Sequence, residues 1–384
     1  MFDGILARGE VRAAVSDDAW LRAMLEVEAA LAAAQATVGL LPDEAARAIG
    51  AVCRDVHVDV PDLAVAAAAS GNPVVPLVQR LRAAAEPAHA AYVHFGATSQ
   101  DIMDTAGMLV ARRALRPLVG DLTAAADAAA HLARTHRDTP MAGRTLMQQA
   151  VPTTFGLKAA GWMVGLDDAA ADLTTVQDRL PVQFGGAAGT LAGLDGRGIE
   201  VAARLATALG LAEPVVPWHT IRTRPAELAG ALGRAAGVVG KAARDLALLA
   251  QNEVGEVSEG TPGGSSAMAH KQNPVAAVSA LAGALAAPGL VATLYGAMVQ
   301  EHERAAGAWH AEWRPLRELL IATGSAAAWV RDALEHLRVH PEAMRGNLAR
   351  LLVVLGEPQP DVGMAAALVD RALAARPRRA GPAP

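Results

Sequence analysis

One cysteine in 384 residues, Cys53, leaves no second thiol for an intrachain disulfide, and its setting, AVCRDV, lacks metal-ligand spacing. Such usage suits a reducing cytoplasm. Aromatic residues are scarce at 3% and charged residues at 19%, while 52% of the chain is hydrophobic. Alanine and leucine fill the difference, and both are strong helix formers, so helix packed on helix is expected: an all-α fold. A formal net charge of −5 with no lysine or arginine block gives no field for nucleic acid and no basic anchor for a membrane surface. The start, MFDGILARGEVR, has neither the basic end nor the apolar run of a secretory signal. From Pro274 to Val299 no charged residue occurs, long enough to span a bilayer. Pro288 in its middle and its many alanines favour instead a helix buried on all sides in a bundle, with no membrane association. No cluster has zinc or calcium spacing, and the Gly-rich turns are neither GxGxxG nor a P-loop, so no metal and no nucleotide or other cofactor is implied.

Ser16 or Asp17 can cap a helix whose apolar positions Trp20, Met24, Val27, Leu31, Ala34 and Val38 step by four and three, ending at Gly39 before Pro42. From Ala226 to Ser258 there is no proline, and a helix over that stretch would be about 50 Å long. Gly230, Gly233, Gly237 and Gly240 repeat along it at spacings of three and four. Each costs about 1 kcal/mol of helix propensity against alanine. Either another backbone approaches closely there or the glycines reflect compositional drift. Helices so long and so weakly polar cannot satisfy their apolar surface in a monomer, so a homo-oligomer is expected, a tetramer around a shared bundle. The tail 376–384 is expected to fray.

Four stretches carry chemistry. Gly263-Gly264-Ser265-Ser266-Ala267-Met268-Ala269-His270-Lys271-Gln272-Asn273-Pro274 places glycines and small hydroxyls between helical patterns and ends in a cation and an amide, a mobile loop able to close on an anion. His94-Phe95-Gly96-Ala97-Thr98-Ser99-Gln100-Asp101 leads into Ile102-Met103-Asp104-Thr105. Gln183-Phe184-Gly185-Gly186-Ala187-Ala188-Gly189-Thr190 is a Gly-rich turn able to expose backbone N–H groups. The fourth is Gly143-Arg144-Thr145-Leu146-Met147-Gln148.

Together these resemble the fumarase/aspartase superfamily, whose GSSxMPxKxNP signature the first stretch follows except that Ala269 stands in place of proline. The second is similar to the superfamily's HxGxTSxDxxDT pattern. GRTLMQQAVPTTFGLKAAGW, HFGATSQDIMDTA, QFGGAAGTLAGL and EHERAAGAWHAEW (301–313) resemble in particular its 3-carboxy-cis,cis-muconate cycloisomerase family. The likeness runs from roughly residue 10 to 345. Beyond it, Asn347-Leu348 passes almost at once into the Ala366–Ala372 segment, so much of the family's small C-terminal helical domain is expected to be missing. The resemblance implies a three-part fold: 1–108 with the His94 motif, 109–335 as a long-helix bundle carrying the loop 260–274, and an abbreviated 336–384.

Adenylosuccinate lyase, argininosuccinate lyase and fumarase have histidine directly after the threonine corresponding to Thr145; here it is Leu146. Leucine transfers no proton. Amine and hydroxide departure is helped by a general acid worth roughly 10²–10⁴ in rate. A carboxylate, whose conjugate acid has a pKa of about 4, leaves unassisted. The resemblance therefore implies an intramolecular lyase acting on a small tricarboxylate, closing a carboxylate onto a double bond with transfer of an α proton. It also implies Ser265 as the proton-transfer residue, with His94 the alternative carrier or a partner of a substrate carboxylate. Thr98, Ser99, Thr145, Gln148, Lys271 and Asn273 are candidates for gripping carboxylates. Arg304 and Arg222 are further candidates, for which a surface ion pair is the competing role. His219 and His302 would support these from behind, and His57, His131, His136, His336 and His340 read as structural or surface residues. Two other readings stay open: an adenylosuccinate lyase-like enzyme of the superfamily, and a non-catalytic structural relative.

Overall fold

In the computed structural model, which describes residues 1–376, the Ser16 hydroxyl accepts from Ala19 N at 3.2 Å and starts the first long helix. Two single-turn helices, α1 (Asp3–Leu6) and α2 (Val11–Ala14), precede that helix, α3 (Asp17–Thr37). It buries Met24, Val27, Leu31 and Ala34 and stops where Gly39 adopts φ 74°, as the spacing predicts. Around it lie α4 (Asp43–Asp55), α5 (Val60–Ser70), α6 (Val74–Ala84) and the short α7 (Pro87–Ala90).

The bundle proper begins with α8 (Ser99–Thr135), whose 37 residues run about 55 Å. The hairpin β1 (Pro140–Thr145) and β2 (Gln148–Thr154) reverses the chain into α9 (Phe155–Asp178), and α10 (Gly198–Leu209) follows. Then come α11 (Thr223–Leu249), β3 (Val257–Ser258), α12 (Val275–Gly296), α13 (Ala308–Glu335), β4 (Arg338–Val339), α14 (Pro341–Leu355) and α15 (Ala365–Ala375). Helices α8, α9, α11, α12 and α13 pack side by side. Apart from the β1/β2 hairpin, the ladder is a two-residue pairing of Val257 with Val339 and Ser258 with Arg338. The fold is all-α in the sense expected. The division after residue 108 falls inside α8, and that after 335 coincides with the end of α13. Of the tail 376–384, only Arg376 is described, ion-paired with Asp127 and Asp167; Pro377 onward lies outside the described residues.

Two expectations need correction. The helix expected over Ala226–Ser258 ends at Leu249, because the chain turns at Gly255 (φ 63°) to carry buried Glu256 to the Arg144 guanidinium at 2.8 and 2.9 Å. The uncharged stretch is not buried on all sides. Only 39% of the apolar window of α12 is buried within the chain, and Val278, Leu285, Tyr295 and Val299 stand exposed. Its other side lies on α11 and α13. The glycine row of α11 accounts for part of that closeness. A Cβ on Gly230, Gly233 or Gly240 would lie 2.5, 2.9 and 2.9 Å from Tyr295, Val291 and Ala284, whereas Gly237 faces open space. Side chains of α12, not its backbone, make the close approach.

Where α8, α11 and α13 converge, Arg222 is 3% exposed and its guanidinium is divided between two carboxylates. Nη1 and Nη2 donate to Asp104 at 2.7 and 2.9 Å; Nε and Nη2 donate to Glu312 at 3.0 and 2.6 Å. Trp309 Nε1 and Gln100 Nε2 also donate to Asp104, and Gln300 Nε2 to Glu312. Arg222 is therefore not available to a substrate carboxylate, which corrects its assignment as a binding residue. It neutralises two acids that would otherwise face each other in the core.

Two stability predictions follow from these contacts. A Cβ on Gly156 would meet backbone at 2.6, 2.7 and 2.8 Å where α8 and α9 cross, so Gly156→Ala should destabilise by about 1–3 kcal/mol in urea titration. Gly120→Ala, with nothing within 4 Å, should gain up to about 1 kcal/mol. Arg222→Met should cost about 3–5 kcal/mol by leaving buried charge uncompensated. Burial already raises the Glu312 carboxyl above its ordinary value, and Arg222 opposes that rise. Without Arg222 it rises further, so the folded state binds a proton that the unfolded state releases, and stability falls as pH climbs from the ordinary carboxylate range through the raised value. The variant should accordingly lose more stability at about pH 8 than at about pH 5.5; equal losses would refute the account.

Candidate active site

At one end of the bundle, the turn from Tyr92 to Ala97 is held from three directions. Gln35 Nε2 donates to Phe95 O at 2.7 Å, Arg82 Nη2 donates to Val93 O at 3.1 Å, and His94 Nδ1 lies 2.6 Å from Glu28 Oε1. His94 itself sits at φ 62°, a left-handed conformation that a non-glycine residue adopts only under constraint. Thr98 and Ser99 follow at the N-terminus of α8, where Thr98 and Asp101 form a capping box and the Asp101 carboxylate sits in the first turn, the end at which the helix dipole favours negative charge.

The rest of the motif faces inward. Asp101, 1% exposed, accepts from Thr98 N at 3.0 Å, Gly185 N at 3.0 Å, Gly186 N at 2.9 Å and His219 Nε2 at 2.7 Å. Thr105 Oγ1 accepts from Gln183 N and donates to Gln183 O. The Gly-rich turn is thereby pinned beside the His94 turn, and a Cβ on Gly186 would come 3.0 Å from Gly96 O. Arg304 joins this group, donating to Gln100 Oε1 at 3.1 Å and Ala187 O at 2.9 Å. His302 contributes its carbonyl to Thr220 Oγ1 at 2.8 Å. Cys53, on neighbouring α4, is no reactive thiol: burial, and then the charge of Glu28, push it up to about 12.

The second group lies at the far end. Thr145 pairs with Gln148 across the hairpin, and Leu146 and Met147 form its tip at φ 49° and 68°. A two-residue turn with both φ positive normally calls for Asn-Gly. Here it presents two apolar side chains, Leu146 97% and Met147 69% exposed. Arg144 ties the hairpin to Glu256, which also accepts from Asn347 Nδ2 on α14.

The signature loop leaves this same end. Gly263 and Asn273 exchange backbone hydrogen bonds of 2.9 and 2.8 Å, and Asn273 Nδ2 donates to Gly264 O, so the Asn273 amide closes the neck of the loop. Ser265 Oγ accepts from Met268 N at 3.2 Å and Ala267 N at 3.3 Å, and Lys271 is exposed. Glu259 fixes the exit by accepting from Ala276 N and Ala277 N at 3.1 and 2.8 Å; its carboxyl is raised by burial and held back by those N–H groups.

The chain thus brings together His94, Thr98, Ser99 and Arg304 at one end, and Thr145, Gln148, Ser265, Lys271 and Asn273 at the other. The roughly 55 Å of α8 lies between them. Sequence reasoning missed Glu28, Gln35 and the positioning duties of Asp101 and Asp104. The available signal was a glutamate and a glutamine on the buried stripe of α3.

With this geometry in view, three comparisons are informative. The lyase family model matches residues 7–287. A 3-carboxy-cis,cis-muconate cycloisomerase of Bradyrhizobium diazoefficiens is 48% identical over 351 residues, covering 90% of this chain and 78% of that protein. A nitrosuccinate lyase of Streptomyces davaonensis is 49% identical over 352 residues, covering 88% and 74%. Among solved structures, the 3-carboxy-cis,cis-muconate lactonizing enzyme of Pseudomonas putida superposes with a TM-score of 0.90 at 36% identity, covering 97% of this chain and 98% of that one. A family model that spans most of the chain and relatives nearly half identical over some nine-tenths of it agree: the chain belongs to the lyase family, within the fumarase/aspartase superfamily.

Proposed function

We propose that the protein interconverts 3-carboxy-cis,cis-muconate and a carboxymuconolactone, a reaction of aromatic breakdown in the cytoplasm. The observation that carries this reading is Leu146. The hairpin tip offers no proton donor, so the departing group must be stable as an anion. In the lactone-opening direction the α proton is removed, its electron pair forms a C=C bond as charge passes through the aci-carboxylate, and the C–O bond to the departing carboxylate breaks. Ser265 takes the proton in this scheme as its oxyanion, becoming the neutral hydroxyl, and the oxyanion is stabilised by backbone N–H groups of the kind it already meets and by Lys271. Thr98, Ser99, Arg304, Thr145 and Gln148 hold the substrate carboxylates. Asn273 serves chiefly to shape the loop.

The nitrosuccinate lyase relative favours a second reading, because β-elimination from nitrosuccinate would expel nitrite, also a stable anion. Leu146 suits both, and the substrate assay separates them.

Either reaction needs both ends of the molecule in one place, so the active unit is proposed to be a homotetramer in which the far end of one subunit meets the His94 end of another. The exposed apolar face of α12 is the surface such an assembly would cover.

Purified protein should abolish the conjugated-diene ultraviolet absorbance of 3-carboxymuconate; fumarate release from nitrosuccinate with no diene loss would instead establish the second reading. Ser265→Ala should lower kcat by at least about 10² while substrate still binds, whereas Lys271→Ala should impair both KM and kcat. Near-normal solvent-hydrogen exchange at the lactone α carbon in Ser265→Ala would move the proton transfer to His94. Mixed and re-annealed Ser265→Ala and His94→Ala subunits should recover part of the activity, since some sites regain both residues. An active monomer in dilute solution would contradict the shared site.

A further inference from the structure

Two polar residues lie on the buried face of α3 where packing alone would use leucine. Met24, Glu28, Leu31 and Gln35 succeed one another there at helical spacing, with Glu28 1% and Gln35 0% exposed. Both serve one turn: Gln35 holds the carbonyl of Phe95, and Glu28 Oε1 lies 2.6 Å from His94 Nδ1. Glu28 Oε2 has no hydrogen-bond partner among the described residues. A buried carboxylate with one oxygen unmatched is an expensive way to fill a core.

We propose that Glu28 is a positioning residue for His94, fixing which of its two ring nitrogens works on the substrate. The inference rests on the reading of His94 as part of the active site. An ionised carboxylate has acceptors only, so a neutral His94 must carry its proton on Nδ1, and the Nε2 lone pair is the one left free. The side chain keeps 13% of its surface exposed, while Nδ1 is turned to the buried Glu28. The left-handed backbone at His94, φ 62°, and the tether at Phe95 fix the ring from the main-chain side, while Glu28 fixes it from the other. The same carboxylate faces Cys53 on α4, whose thiol is uncharged and cannot compete for the His94 proton.

The test is Glu28→Gln, which keeps the side-chain volume but lets an amide donate to Nδ1 and drive the ring proton to Nε2. On the turned-over substrate kcat should fall about 10²-fold or more, with KM and the thermal midpoint maintained. In a His94→Ala background the same change should lower kcat further by less than about twofold, since the role it removes is already gone. The ¹⁵N spectrum of labelled histidine in the resting protein reads the tautomer without any substrate: Nδ1–H at His94 in the parent, Nε2–H in Glu28→Gln. An Nε2–H tautomer in the parent, wild-type kcat in Glu28→Gln, or fully additive losses in the double variant would each overturn the proposal, and the first of these needs no folded variant. If the protein turns over neither 3-carboxymuconate nor nitrosuccinate, the proposed function fails, and the tautomer measurement still decides the role of Glu28.

Discussion

Two buried carboxylates one helical turn apart organise the end of the molecule on which the His94 group stands. Asp101 gathers four N–H donors from three segments, and Asp104 shares Arg222 with Glu312. Ionised acids survive in a core only when nearly every lone pair is filled, and both are. The consequence is positional. Because Asp101 fixes the Gly185–Gly186 turn, Thr98 caps α8 and Asp104 fixes the junction of α8, α11 and α13, the groups that the framework of the motif leaves over are His94 and Ser99. The acids of the motif are its framework, and the imidazole and the Ser99 hydroxyl are its proposed working face.

Helix length sets the second constraint. An active site is a few ångströms across, but α8 separates the two candidate groups by about 55 Å, and no side chain or loop motion spans that. Strain appears at both ends, in His94 and in Leu146 and Met147, residues that reach φ > 0 at a cost of about 1–2 kcal/mol each. The uncharged outer face of α12 is an apolar surface that the proposed assembly would cover.

How much of this could be read from residues alone depended on the range of the interaction. The capped stripe of α3 and the long helices were legible because period and capping are local. The premature end of α11 was not, since it depends on a salt bridge between Arg144 and Glu256, 112 positions apart. Arg222 was misread for a related reason: an arginine near a motif looks like an anion clamp until its two acids, from α8 and α13, are seen on either side of it. Motif order singled out Ser265, Lys271, His94 and Thr98 as candidates, but not that they stand at opposite ends of one chain. Glu28 was hidden by an apolar stripe taken as complete, although a charged residue at a buried helical position is itself a sign of a partner across the core.

The hairpin tip joins these arguments to chemistry. A proton-donating side chain at position 146 would have to be kept polar, solvated and aimed; leucine needs only to be covered. Leu146, Met147 and Val151 are all strongly exposed in the single chain, so a partner surface laid over them in the proposed assembly would be favoured by removing apolar area from water. In the proposed shared site, closed by such a tip, a leaving group that required protonation would find no donor there, while an anion that leaves on its own would meet Arg304 and Lys271. Electrostatic stabilisation then replaces acid catalysis, and it is strongest where water is excluded. In that proposal the missing acid and the apolar contact are two consequences of one leucine, and both restrict the reaction to departing groups that are already stable anions.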